Sequence, residues 1–213
     1  MALSQQYAFI RRSTVIPVMV IPSIEQAVPM AQALVAGGIS NLEITLRTDC
    51  ALAAISAIRL QVPEAMVGAG TVCNARHFEA AVDAGARFVV SPGSSKVLFD
   101  ASHRLDVPLL PGAVTATEVM AAQDAGFKVV KFFPAETSGG AAAIKALQGP
   151  FADQLFIPTG GVSPDNLAAY LSMSNVPAVG GSWMLPVDAV AQHDWARITA
   201  LASAAIGLAF RHQ

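Results

Sequence analysis

The sequence predicts a (β/α)8 barrel with a short N-terminal helical leader, and three observations carry that expectation. Short apolar runs rich in Val, Ile and Leu recur along the whole chain, each followed by a stretch of helical character. The chain is 54% hydrophobic and only 13% charged, which suits parallel strands buried on both faces under a layer of helices. A weak repeat, a helix ending in Ala-Gly before an apolar strand, appears at Ala36-Gly37-Gly38, Ala84-Gly85-Ala86 and Ala125-Gly126-Phe127. Its spacing is close to two βα units of about 20 residues each. No linker and no change of composition divides the 213 residues, so a single barrel domain over 1–213 is expected.

Taken in order, residues 1–14 read as an amphipathic leader over one end of the domain. Val15–Ile21 is the first apolar strand, and a helix over about 23–36 is closed by Gly37-Gly38. The second strand, Asn41–Leu46, leads into an Ala-rich helix over about 50–60. The third, Ala65–Thr71, precedes a helix starting near Asn74. Arg87–Gly93 and Val107–Gly112 are the fourth and fifth strands, with helices over about 95–103 and 115–124. The sixth strand carries Lys131, and its helix covers about 139–147. Leu155–Gly161 is the seventh, after which Ser163-Pro164 reads as an N-cap and first helical residue. Ala178–Gly181 is the eighth, followed by one helix over about 187–208. An open doubly wound sheet is disfavoured because no GxGxxG follows the first strand.

Composition narrows the function. A formal net charge of -2 provides no basic footprint for nucleic acid and no polybasic membrane patch. Cys50 and Cys73 are too few for a disulfide framework and do not form a CxxC pair. The N-terminus lacks signal-peptide order, and no run of about 18 apolar residues could span a bilayer. A soluble, cytoplasmic protein is expected.

The chemistry concentrates in polar residues embedded in apolar strands. Lys131 sits within Val129-Val130-Lys131-Phe132-Phe133, where desolvation disfavours an ammonium. A neutral amine attacks ketones and forms Schiff bases. Lys131 could instead snorkel to an open strand end or pair with a carboxylate. Glu43 lies inside Leu42-Glu43-Ile44, and the two-residue strand period sends Glu43, Thr45 and Arg47 to one side. Glu43 is an acid/base candidate, or one half of a structural ion pair with Arg47 or Lys131. Arg47 carries a guanidinium suited to a carboxylate or phosphate, and Thr71 ends the third strand behind Gly68 and Gly70. In barrels, reacting groups sit at the C-terminal ends of the strands, and phosphate often binds after strands seven and eight. Thr159-Gly160-Gly161 and Gly180-Gly181-Ser182 occupy those places, as anion cradles or as tight turns. His77, His103, His193 and His212 show no metal-binding spacing, so no metal or other cofactor is expected.

Five segments together resemble one family. They are Leu42–Thr48 (LEITLRT), Val67–Val72 (VGAGTV), Lys131–Glu136 (KFFPAE), Pro158–Val162 (PTGGV) and Gly180–Trp183 (GGSW). In that order and spacing they are similar to the bacterial 2-keto-3-deoxy-6-phosphogluconate (KDPG) aldolases, some of which also act on 4-hydroxy-2-oxoglutarate. The resemblance implies a barrel, a homotrimer, and metal-free cleavage of a keto-acid phosphate to pyruvate and glyceraldehyde 3-phosphate. It implies Lys131 as the Schiff-base lysine and Glu43 as the general acid/base. Arg47 and Thr71 would hold the substrate carboxylate. Thr159, Gly160, Gly161 and Ser182 would form the phosphate site, with Pro92 beside the substrate. Ile157 stands where many members have cysteine, and Ala113-Val114-Thr115 follows Pro111-Gly112 where a serine is common. The alternatives are an aldolase preferring 4-hydroxy-2-oxoglutarate or an epimeric sugar acid, a phosphosugar isomerase or epimerase without a covalent intermediate, and a non-catalytic metabolite-binding subunit.

Overall fold

The computed structural model describes residues 5–211; residues 1–4 of the expected leader, and His212, lie outside the described residues. A 3-10 helix, Gln5–Arg12, comes first. The strands are β1 Val15–Met19, β2 Asn41–Thr45, β3 Met66–Gly70, β4 Val89–Val90, β5 Leu109–Leu110, β6 Val129–Phe132, β7 Leu155–Pro158 and β8 Val179–Gly181. Between them run α1 Ile24–Ala36, α2 Ala51–Gln61, α3 Ala75–Asp83, α4 Lys96–Leu105, α5 Ala116–Asp124, α6 Gly140–Gln148 and α7 Leu167–Leu171. The helices α8 Val187–Ala191 and α9 Trp195–Phe210 follow β8.

Every strand pairing is parallel. One run is ordered β5-β4-β3-β2-β1-β8, and β6 pairs with β7 in a second. Single bridges, Gly112 to Lys131 and Thr159 to Gly180, join the two runs at both edges. The sheet therefore closes into the expected (β/α)8 barrel, which leaves no free edge.

The strand period divides the core in two. Along β2, Leu42 and Ile44 face outward into the large cluster shared with the helices, and Glu43 between them faces inward. Inside the barrel a smaller cluster gathers Ile16, Phe88, Val90, Leu110, Val129 and Ile157. The leader caps this cluster at the N-terminal ends of the strands. Phe9 stacks on Phe88 at 4.7 Å, the Tyr7 hydroxyl donates to the Leu109 carbonyl at 3.2 Å, and the Asn41 amide donates to the Phe9 carbonyl at 2.8 Å. That end is packed shut, which leaves the C-terminal ends as the mouth.

The Ala-Gly repeat has a specific structural cause. Gly38, Gly85 and Gly126 have φ of +93°, +101° and +86°, and each ends a helix in the left-handed conformation. The following N–H reaches back five residues in each case: Ile39 to Leu34, Ala86 to Ala81 and Phe127 to Ala122. One Schellman-type stop thus serves α1, α3 and α5.

Two helix boundaries differ from the sequence expectation. The helix after β7 starts at Leu167, because the Asn166 side chain accepts the Ser163 N–H at 2.8 Å and closes a turn first. The expected helix over 187–208 is broken in two at 192–194. There His193 takes φ +56°, and Asp194 accepts the Arg197 N–H at 3.0 Å as a new N-cap. Strands β4 and β5 are each only two residues long, although backbone bonds such as Arg87 N–H to the Val67 carbonyl and Ser91 N–H to the Leu110 carbonyl extend the pairing beyond them. Among the described residues no helix is long and apolar enough to cross a membrane.

Candidate active site

Lys131 and Glu43 reach the interior from opposite walls. β2 and β6 lie four places apart around the closed sheet, yet Lys131 Nζ donates to Glu43 Oε1 at 3.1 Å. The side chains are only 8% and 4% exposed, so the pair is nearly dry. Packing explains how both groups fit. A Cβ on Gly70 would collide with the Glu43 carboxylate, so β3 must carry glycine where the acid lies across it. Lys131 is fixed on its own strand by two backbone bonds to the segment that follows β5: its N–H donates to the Pro111 carbonyl and its carbonyl accepts the Ala113 N–H, each at 2.9 Å. The Phe133 ring centroid lies 5.1 Å from Nζ. A buried amine and carboxylate in hydrogen-bond contact can exchange a proton without water.

At the rim, Arg47 Nε donates to Thr71 Oγ1 at 3.2 Å. Thr71 has φ +59°, an uncommon conformation for a β-branched residue, just where β3 gives way to the mouth. Arg47 is exposed, and among the described residues its terminal nitrogens have no partner. Pro92 lines a cleft of about 250 Å³ with Val72, Cys73 and Ser94, beyond Thr71.

On the β7–β8 side, Thr159 is 5% exposed, and its hydroxyl packs where a side chain at Gly180 would project. Gly160 and Gly161 follow with φ of +96° and +82°. The Gly160 carbonyl accepts the Glu136 N–H at 3.1 Å, and the Gly161 carbonyl accepts the Asn166 amide at 2.9 Å. With both carbonyls engaged, the Gly161 N–H has no partner among the described residues. Ser182 is exposed at the end of β8.

Sequence reasoning missed Glu136, Asn166 and Tyr170. The Tyr170 hydroxyl donates to Glu136 Oε1, and is held well above the usual phenol range by burial and then by that carboxylate. Glu136 ends the KFFPAE segment, but nothing in sequence spacing ties it to α7. Among the described residues no group of three His, Cys, Asp or Glu side chains could hold a metal ion.

The family model for KDPG and KHG aldolase (KHG is 4-hydroxy-2-oxoglutarate) matches residues 7–201. The chain belongs to the KDPG/KHG aldolase family. As a family member it is an aldolase, a carbon–carbon lyase, and the isomerase and non-catalytic readings fall away. The chain is 50% identical to the KHG/KDPG aldolase of Escherichia coli K12 over 192 residues, 90% of either chain. A KDPG aldolase from Legionella pneumophila, holding pyruvate as a covalent carbinolamine, is 43% identical with a TM-score of 0.92, covering 94% of this chain and 98% of that one. The Zymomonas mobilis KDPG aldolase with 3-phosphoglycerate is also 43% identical with a TM-score of 0.92, covering 97% of each chain.

Proposed function

We propose that this aldolase cleaves KDPG to pyruvate and glyceraldehyde 3-phosphate through a Schiff base on Lys131. The observation that carries the reading is the 3.1 Å contact between Lys131 Nζ and Glu43 Oε1 in a nearly dry mouth. Passing a proton to Glu43 leaves Lys131 as a free amine, which adds to the C2 ketone to form a carbinolamine. Glu43 returns that proton to the departing hydroxyl, so that loss of water gives the protonated imine and restores the Glu43 carboxylate. Glu43 then takes the proton of the C4 hydroxyl, directly or through a water. The C3–C4 bond breaks, and its electron pair moves into the imine to give an enamine while the aldehyde leaves. Protonation of the enamine at C3 and hydrolysis of the imine release pyruvate and restore the amine. The covalent pyruvate carbinolamine in the Legionella relative supports this sequence.

Arg47 and Thr71 take the keto-acid carboxylate, with the terminal guanidinium nitrogens forming the fork. The phosphate rests on the Gly160-Gly161 turn and Ser182, with Thr159 supporting the turn from below and Pro92 beside the substrate. The 3-phosphoglycerate bound by the Zymomonas relative supports a phosphate site in this fold. Remote binding of that phosphate holds the scissile bond in line with Glu43.

Borohydride reduction in the presence of pyruvate, followed by peptide mass mapping, tests the chemistry. One pyruvate-derived adduct on Lys131, with loss of activity, is the expected result; an unmodified and fully active protein would remove the Schiff base. A second reading, cleavage of 4-hydroxy-2-oxoglutarate, follows from the family's two substrates. We also infer a homotrimer from the family resemblance and from Val20 and Val187, apolar side chains left 45% and 85% exposed beside the mouth. A single species of three times the chain mass in light scattering is expected; a monomer at assay concentration would exclude it.

A further inference from the structure

The Gly160-Gly161 turn is held by a set of residues that the reaction itself does not use. Two come from one face of α7 and its cap, since Asn166 and Tyr170 are four residues apart. Asn166 takes the Gly161 carbonyl at 2.9 Å. Tyr170 is 1% exposed, and its hydroxyl takes the Glu136 carboxylate. Glu136 in turn holds the same turn twice. Its N–H takes the Gly160 carbonyl at 3.1 Å, and its side-chain stem fills the space where a Cβ on Gly161 would stand.

The geometry points to Glu136 and Tyr170 as positioning residues for the phosphate end of the substrate: together they preset the glycine turn as an anion cradle and keep the Glu136 carboxylate turned away from it. The physical need is clear from the charges. Glu136 lies beside the turn, and an untethered carboxylate there would repel a phosphate dianion at short range. The Tyr170 hydroxyl ties that charge to α7. Both carbonyls of the turn, which would also repel an anion, are already engaged as acceptors, while the Gly161 N–H stays open. A turn organised before binding loses less conformational freedom when the phosphate arrives. This inference rests on the phosphate reading above and adds to it the source of the turn's order.

The test compares two reactions of the full-length enzyme: KDPG cleavage, and borohydride trapping with pyruvate, which carries no phosphate. Ser182→Ala serves as the reference for the phosphate site itself. Tyr170→Phe and Glu136→Ala should each raise KM for KDPG about ten-fold, the scale of one hydrogen bond to a charged group. They should leave kcat and the half-saturating pyruvate concentration within about two-fold. Glu136→Gln keeps an acceptor for the tyrosine hydroxyl and should restore KM to near the parent value. Equal losses with KDPG and pyruvate, or no loss with either, would overturn the positioning role. A selective effect of Ser182→Ala without one from Tyr170→Phe would overturn it while the phosphate site stands. If Ser182→Ala also shows no selectivity, the phosphate reading fails and the positioning role with it.

Discussion

Lys131 and Glu43 meet at 3.1 Å although their strands stand on opposite walls of the barrel and 88 residues separate them in sequence. Burying such a pair for stability alone is seldom favourable, because desolvation costs several kcal/mol per ion. Lys131→Met should abolish turnover and strand Glu43, lowering stability by about 3–5 kcal/mol. The double variant Lys131→Met/Glu43→Met should be inactive yet at least as stable as the parent. Denaturant melts of the three proteins check this; a double variant as unstable as the single would show that the pair is structural.

Gly70 sets the position of the carboxylate. Gly70→Ala places a methyl against the Glu43 side chain and pushes it off the line to Lys131. A displacement of about 1 Å costs on the order of 100-fold in rate. The loss should appear in kcat for KDPG, with KM nearly unchanged. A variant with parent kcat would mean that Glu43 is not poised where the proton moves.

Arg47 and Thr71 should act on binding rather than chemistry. Arg47→Lys keeps the charge but loses the planar fork and the Nε bond to Thr71. KM should rise about ten-fold or more for KDPG and for 4-hydroxy-2-oxoglutarate alike, because both carry the same carboxylate. A rise confined to the phosphorylated substrate would place Arg47 at the other end of the molecule.

The start of α5 provides a pH-dependent test away from the mouth. Burial raises the Glu118 carboxyl, but the N–H groups of Val114 and Thr115 and the Thr115 hydroxyl outweigh it and hold the group below its ordinary value. A carboxyl lowered on folding stabilises above its unfolded pKa, and that contribution is lost as pH falls through the folded value. Glu118→Ala also removes a capping box, worth about 0.5–2 kcal/mol. Its melting temperature should fall below the parent's by a few degrees at neutral pH. The gap should narrow as the solution is acidified below about pH 4. A gap independent of pH would mean that the charge adds nothing.

Much of this molecule was legible in local pattern. Continuous apolar strands, glycine stops at Gly38, Gly85 and Gly126, and low charge together imply a closed parallel sheet. Ionisable residues inside apolar strands, Glu43 and Lys131, single out the candidate site because burial makes such choices expensive, and the fold brings the two into contact. Where local signals compete, side-chain caps decide the helix boundary. Ser163-Pro164 has the form of a helix start, but the Asn166 side chain took the Ser163 N–H first. The long helix expected after β8 was interrupted by Asp194, whose own cap bond outweighs helix continuation.

The sequence by itself determined the strand period, the helix stops and which polar groups would be forced into an apolar mouth, because each follows from residues close together in the chain. Only the tertiary structure decided that β6 faces β2 across the barrel, that Gly70 clears room for Glu43, and that Tyr170 restrains Glu136 beside the glycine turn. Those relations depend on how a closed sheet brings distant segments to one end, and contacts made across a barrel leave no periodicity in the chain to read.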